Sequence, residues 1–144
     1  MRRDIRLEHF YPHPPQKVWR AVADRKALST WLMPNDFEPK RGHQFTFRGK
    51  PQPGWDGVTY CEVTELDPPR TIAFTWRGGP GPGKPLTLDT VVRFTLEPVS
   101  GGTRLVLEHT GFEGFRAVVV SFMMKVGWAK MMKKEIASVI DGLG

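Results

Sequence analysis

One stretch decides how this chain can fold. Residues 117–140 carry the only long helical stripe, Met124, Trp128, Met132, Ile136 and Val139, at spacings of 4, 4, 4 and 3, with Lys130, Lys133 and Lys134 on the opposite face. Asp141-Gly142 ends it, the glycine serving as a C-cap. Most of the chain before it, from about residue 44 to residue 110, reads instead with a period of two. A sheet whose one face carries large apolar side chains must be covered, and this helix is the only element long enough to do it.

The strands follow from alternation. Asp4 to Tyr11 sets Ile5, Leu7 and His9 against Arg6, Glu8 and Phe10. Pro14-Pro15 stops that strand and starts a short helix over Gln16 to Asp24, with Val18 and Trp19 as core residues; a second follows over Lys26 to Leu32, closed by Pro34. Five more strands are predicted at 44–48, 57–66, 71–76, 88–96 and 103–110. Asp67-Pro68-Pro69-Arg70 and the stretch Pro98 to Gly102 are turns. Between Arg77 and Leu86 lie three prolines and four glycines, so that segment is a loop. Short turns between consecutive strands make the sheet antiparallel. The fold class expected is α+β, a curved antiparallel sheet wrapped around a long C-terminal helix, with two short helices after the first strand. At 144 residues the chain is one domain.

Composition narrows the function classes. A single cysteine, Cys61, excludes an internal disulfide framework and a thiolate metal site. The longest apolar stretch, Ala117 to Met124, is far below the ~20 residues of a membrane-spanning helix. The start, Met1 to Phe10, has no apolar core of a secretion signal, so a cytoplasmic address is expected. The net charge of +6 is spread along the chain without a nucleic-acid motif, so no specific nucleic-acid partner is expected and any DNA binding should fade at physiological salt. The four histidines, His9, His13, His43 and His109, lie in separate elements without metal spacing. No metal and no cofactor are expected, and no nucleophile elbow, phosphate loop or dinucleotide fingerprint is present.

The aromatic residues are the informative group. Trp31, Phe45, Phe47, Phe74, Trp76, Phe94 and Trp128 fall on the concave face or the elements packed against it, with Tyr60 on the adjoining strand. Met124 and Met132, with Met123 and Met131, form either a polarisable cavity wall or core filler. Thr90 and His109 are polar residues on apolar strand faces. His109 precedes Thr110-Gly111-Phe112, which places it at a cavity rim, where it either orients a ligand or is satisfied by a backbone carbonyl. Lys125 lies within one step of the helical stripe: it reaches the cavity mouth if the helix starts before it, and its side chain is free if the helix starts near it, the reading preferred here. Asp36 and Glu38 sit in a loop, where acids are usually solvated.

An ordered set of pieces then resembles a known family. These are Pro14-Pro15-Gln16-Lys17-Val18-Trp19, Ser29-Thr30-Trp31-Leu32, Gly57 leading into Val63, Asp67-Pro68-Pro69-Arg70, Phe74-Thr75-Trp76, Thr103-Arg104-Leu105, His109-Thr110-Gly111-Phe112 and Gly127-Trp128. Together they resemble the SRPBCC, or START-like, superfamily with its helix-grip fold, and within it the bacterial homologues of the activator of the Hsp-ninety ATPase. The Pro/Gly-rich stretch Lys50 to Gly54 departs from the pattern and lengthens a loop beside the groove. The fold, the aromatic and methionine lining and the missing catalytic motifs point to a non-catalytic domain that binds a small apolar or amphipathic molecule between sheet and helix, through Trp31, Phe45, Phe47, Tyr60, Phe74, Trp76, Thr90, Phe94, His109, Met124, Trp128 and Met132. A stress-related co-chaperone with a protein partner, as monomer or homodimer, is the alternative. A cyclase-like or hydrolase-like enzyme using His109 or Asp36 as general base is the third.

Overall fold

The computed structural model describes residues 1–144. The order is β1 (Arg2–Tyr11), α1 (Pro15–Val22), α2 (Arg25–Trp31), β2 (Gln44–Arg48), β3 (Val58–Asp67), β4 (Thr71–Gly78), β5 (Leu88–Val99), β6 (Gly102–Glu113) and α3 (Phe115–Lys130). A π-helical turn (Met131–Glu135) and α4 (Ile136–Gly142) continue α3 without a break, since Lys130, Met131, Glu135 and Ile136 all keep right-handed helical backbone angles. The six strands form one antiparallel sheet in the order β1-β6-β5-β4-β3-β2. No helix is long and apolar enough to cross a membrane.

Register explains how the inward face becomes continuous. Val63 pairs with Phe74, Phe74 with Val92, Val92 with His109, and His109 with Ile5. This row crosses five strands, and every member is buried. Cross-strand neighbours on one face are the unit of sheet stabilisation, so the row acts as the sheet's spine. The terminal helix lies over it with Trp128, Met132, Ile136 and Ile140 buried.

The strands run longer than alternation predicts. β6 passes Thr110 to reach Glu113, opposite Arg2. The ladder slips between Arg3 and Ile5, and there the Gly111 N–H donates to the Asp4 carboxylate at 2.9 Å. That bond carries the pairing past the irregularity and, first among its causes, holds the Asp4 carboxyl below its usual range. Gly114, at φ 88°, then reverses the chain into α3, a conformation only glycine takes readily.

The two short helices are tied down by named bonds. Asp24 caps α2 by accepting from the Ala27 N–H at 3.0 Å. The Trp31 indole N–H donates to the Ala21 carbonyl at 2.7 Å, which locks α2 onto α1 while the ring enters the core.

The stripe of the terminal helix ends on Ile140, which is fully buried, whereas Val139 is half-buried. The π turn is the reason. A wider turn advances less per residue, so the four-residue steps from Met132 to Ile136 and Ile140 stay on one face. Within it the Ile136 N–H donates to Met131, five residues back, and leaves the Met132 carbonyl to another partner. The buried Tyr11 hydroxyl donates to that carbonyl at 2.6 Å, and burial pushes its pKa up, so the phenol stays a donor. Tyr11→Phe should therefore strand a buried carbonyl and lower stability by ~1–3 kcal/mol in urea unfolding.

Candidate functional site

The interior between sheet and helix is packed with rings. Trp128 on α3 meets Trp76 at 5.8 Å between centroids, Phe94 at 6.1 Å and Trp31 at 6.2 Å. Phe47 meets Phe45 and Trp76 at 5.4 Å each, and Phe45 meets Phe74 at 5.6 Å. All seven are buried, in edge-on and tilted contacts of the kind aromatic pairs prefer. Phe37, from the loop after α2, adds a further ring at 5.3 Å from Phe45. Met132 is buried beside them and Met124 is half-buried at the margin. Sequence alternation thus brings Trp31, Phe45, Phe47, Phe74, Trp76, Phe94, Trp128 and Met132 together as expected, but their own side chains occupy the space between sheet and helix.

Tyr60 does not join them. It is 44% exposed on the outer face of β3, because Thr59, Cys61 and Val63 are the inward residues of that strand. There it borders a polar hollow of about 340 Å³ with Thr46, Glu62 and Arg77. Lys125 is also exposed, although α3 begins ten residues earlier. The buried line of α3 runs Ala117, Ser121, Trp128, and Lys125 falls on the solvent side of Met124.

His109 lies at the centre of the core and not at a rim. It is fully buried, and its two nitrogens have side-chain partners. An indole N–H only donates, so the Trp128 Nε1–H bond of 3.1 Å makes His109 Nδ1 an acceptor. The neutral ring then carries its proton on Nε2, which donates to Thr90 Oγ1 at 2.7 Å. The Thr90 hydroxyl in turn donates to the Trp76 carbonyl at 2.8 Å. The chain runs from helix to β6 to β5 to β4 with every donor spent. Burial drives the His109 pKa down to about 3, so the ring is neutral at pH 7. A histidine with both nitrogens engaged inside a packed core is a structural tie between helix and sheet. Thr90, equally buried, is part of that tie.

The other candidate groups are similarly employed. Asp36 accepts from the Thr46 N–H at 2.7 Å, and this bond is the leading cause of its lowered pKa. Burial pushes the Cys61 thiol up, away from thiolate character. His13 pairs with Asp141 at 2.9 Å, and His43 bonds the Asp36 carbonyl at 3.0 Å.

An open groove of about 620 Å³ lies elsewhere, where α1 and α2 meet α4. Trp19, Ala23, Ala27, Val139 and Leu143 line its apolar part, and Arg20, Asp24, Lys26, Thr30 and Ser138 its polar part. Ala23 and Ala27 are buried, and their small side chains give the groove its depth. Trp19 packs against the core on one side and is half-buried, so it serves as floor to the groove as well as core. Sequence patterning missed this site. Its one signal is the pair of alanines four residues apart across the break between the short helices.

Comparison with known proteins places this architecture. The family model for Activator of Hsp90 ATPase homolog 1-like protein matches residues 12–141. Protein MLL2253 from Mesorhizobium loti is similar over 99% of both chains, with 33% identity and a TM-score of 0.84. Protein BH1534 from Bacillus halodurans is 27% identical over 96% of this chain and 98% of its own, with a TM-score of 0.77. The fold is also shared with the Aha1 dimer from Colwellia psychrerythraea, at 21% identity over 99% of both chains and a TM-score of 0.73. A comparison with curated proteins found no match. With the helix-grip architecture and a match over residues 12–141, the chain belongs to the Activator of Hsp90 ATPase homolog 1-like family.

Proposed function

We propose that this protein is a non-catalytic binding domain that takes a small amphipathic, anionic molecule in the groove between α1, α2 and α4. The observation that carries the reading is the groove itself. Its volume of about 620 Å³ is that of a small-molecule site, with an apolar lining beside a few polar groups. Arg20 and Lys26 line it beside Trp19, Ala23 and Ala27; the one acid of the lining, Asp24, is engaged in capping α2, and Arg20 spends one N–H on the Gly144 carbonyl at 3.2 Å, so Lys26 and the remaining Arg20 donors match a molecule with an apolar body and an acidic end. The ring-packed interior supports moving the ligand from between sheet and helix to this groove. On this reading Trp31, Phe45, Phe47, Phe74, Trp76, Phe94, Trp128 and Met132 support the site from behind and do not line it. The engaged nitrogens of His109 and the bonded carboxylate of Asp36 favour binding over catalysis.

An anilinonaphthalene sulfonate dye tests this reading. It should bind the folded protein at one site, and Ala27→Phe, which fills the groove, should weaken it at least tenfold. Lys26→Glu should weaken it several-fold and make it less sensitive to salt. Dye binding that survives Ala27→Phe, or appears only on unfolding, defeats the reading.

A further inference from the structure

α3 is apolar on two opposite sides. One side, through Ala117, Ser121 and Trp128, is buried against the sheet. The other carries Phe115, Val119, Phe122 and Val126 at spacings of 4, 3 and 4, and these are 71%, 45%, 56% and 72% exposed. Met123, 71% exposed, widens the strip. A helix on a protein surface ordinarily turns polar residues to solvent, and a contiguous apolar strip of this size marks an interface.

We infer that this face is a homodimer interface, in which α3 packs against α3 of a second copy, antiparallel. The 4-3-4 spacing is that of a helix-pairing seam, and a surface that pairs with itself suits two-fold symmetry. An antiparallel crossing centred between Phe122 and Met123 sets Val119 of each copy against Val126 of the other. The exposed side chains leave roughly 600 Å² of apolar surface on each copy, or about 1,200 Å² when two meet, the lower end of what a specific dimer buries. Arg3 lies 3.5 Å over the Phe122 ring and fixes its orientation before any partner arrives. The seam is on a different surface from the groove, and the inference does not depend on a ligand.

Sedimentation velocity on the full chain tests it. The wild type should be a dimer at micromolar concentration. Phe122→Glu with Val126→Glu should raise the dimer dissociation constant at least a hundredfold while leaving the circular dichroism spectrum unchanged. Tyr60→Glu, on the outer face of the sheet, should leave the dimer intact. Should the double variant fail to fold, Met123→Cys decides the matter. Lying next to the two-fold axis, it should give a disulfide-linked dimer on mild oxidation, with Cys61 buried and unreactive. A wild type that is monomeric throughout, a dimer indifferent to the Glu substitutions, or failure of Met123→Cys to cross-link overturns the inference. So does a monomer that sediments with phosphatidylglycerol vesicles through this face, because the occupant is then a lipid surface.

Discussion

Trp128→Ala is expected to remove about 3–5 kcal/mol of stability, a large part of the 5–15 kcal/mol that holds a typical domain together. The side chain touches three other aromatic rings and His109, so its loss opens a cavity at the point where helix and sheet meet. The truncation also strands His109 Nδ1, which no other side chain bonds. Trp128→Phe separates the two effects. It keeps most of the ring contacts and removes only the N–H, so it should cost ~1–3 kcal/mol, the penalty of an unpaired buried acceptor. Urea unfolding of both variants measures the difference. If the two were equally destabilised, the hydrogen bond would be the whole effect and the packing would count for little.

The same residue shows what is legible in the sequence. A tryptophan in an apolar stripe on the only long helix is destined for the core, and the alternation of Phe74, Trp76, Val92 and Phe94 fixes the face of the sheet it meets. Those are one-element patterns, and period alone decides them. Tyr60 shows the limit. Both faces of β3 alternate plausibly, and only pairing with β4 settles that Val63, opposite Phe74, points inward. His109 shows a second limit. Alternation places it on the apolar face but gives no depth, because depth depends on how far β6 continues beyond Thr110. That continuation rests on the Asp4–Gly111 bond across two strands. Neither the Thr90 hydroxyl nor the Trp128 indole is near His109 in sequence, so its satisfaction is purely tertiary.

The π turn and the outer seam of α3 were hidden for related reasons. A stripe read at 3.6 residues per turn tracks one face and ignores a second. Phe115, Val119, Phe122 and Val126 stand apart from the stripe that contacts the sheet, so a search for the buried face passes over them. The groove was hidden because alanine carries little hydrophobic signal. Its depth comes from Ala23 and Ala27 lacking what larger residues would fill. Both proposed surfaces lie outside the pattern that builds the core.

Acid should destabilise this protein well above the carboxylate range. His109 is held neutral by burial, with its pKa near 3 in the folded state against 6.5 for an ordinary histidine. The unfolded chain therefore binds one more proton than the native one between those two values. Stability is fully present above pH 6.5 and falls as pH drops towards 3, at about 1.4 kcal/mol per unit for one group, or several kcal/mol in all. His9, whose pKa is lowered by burial and then by Lys133, adds weakly in the same direction. Asp4 and Asp36, both held low by backbone hydrogen bonds, add a further loss only below their ordinary value of 3.8. The urea midpoint should thus decline steadily from pH 7 to pH 4. His109→Gln isolates the cause, because glutamine can still donate to Thr90 and accept from Trp128 but does not titrate. That variant should start less stable at pH 7 and show a much flatter decline to pH 4. A wild-type profile that is flat over this range, or a variant that keeps the full slope, would mean that the imidazole is reached by solvent and that the chain from Trp128 to Trp76 opens readily.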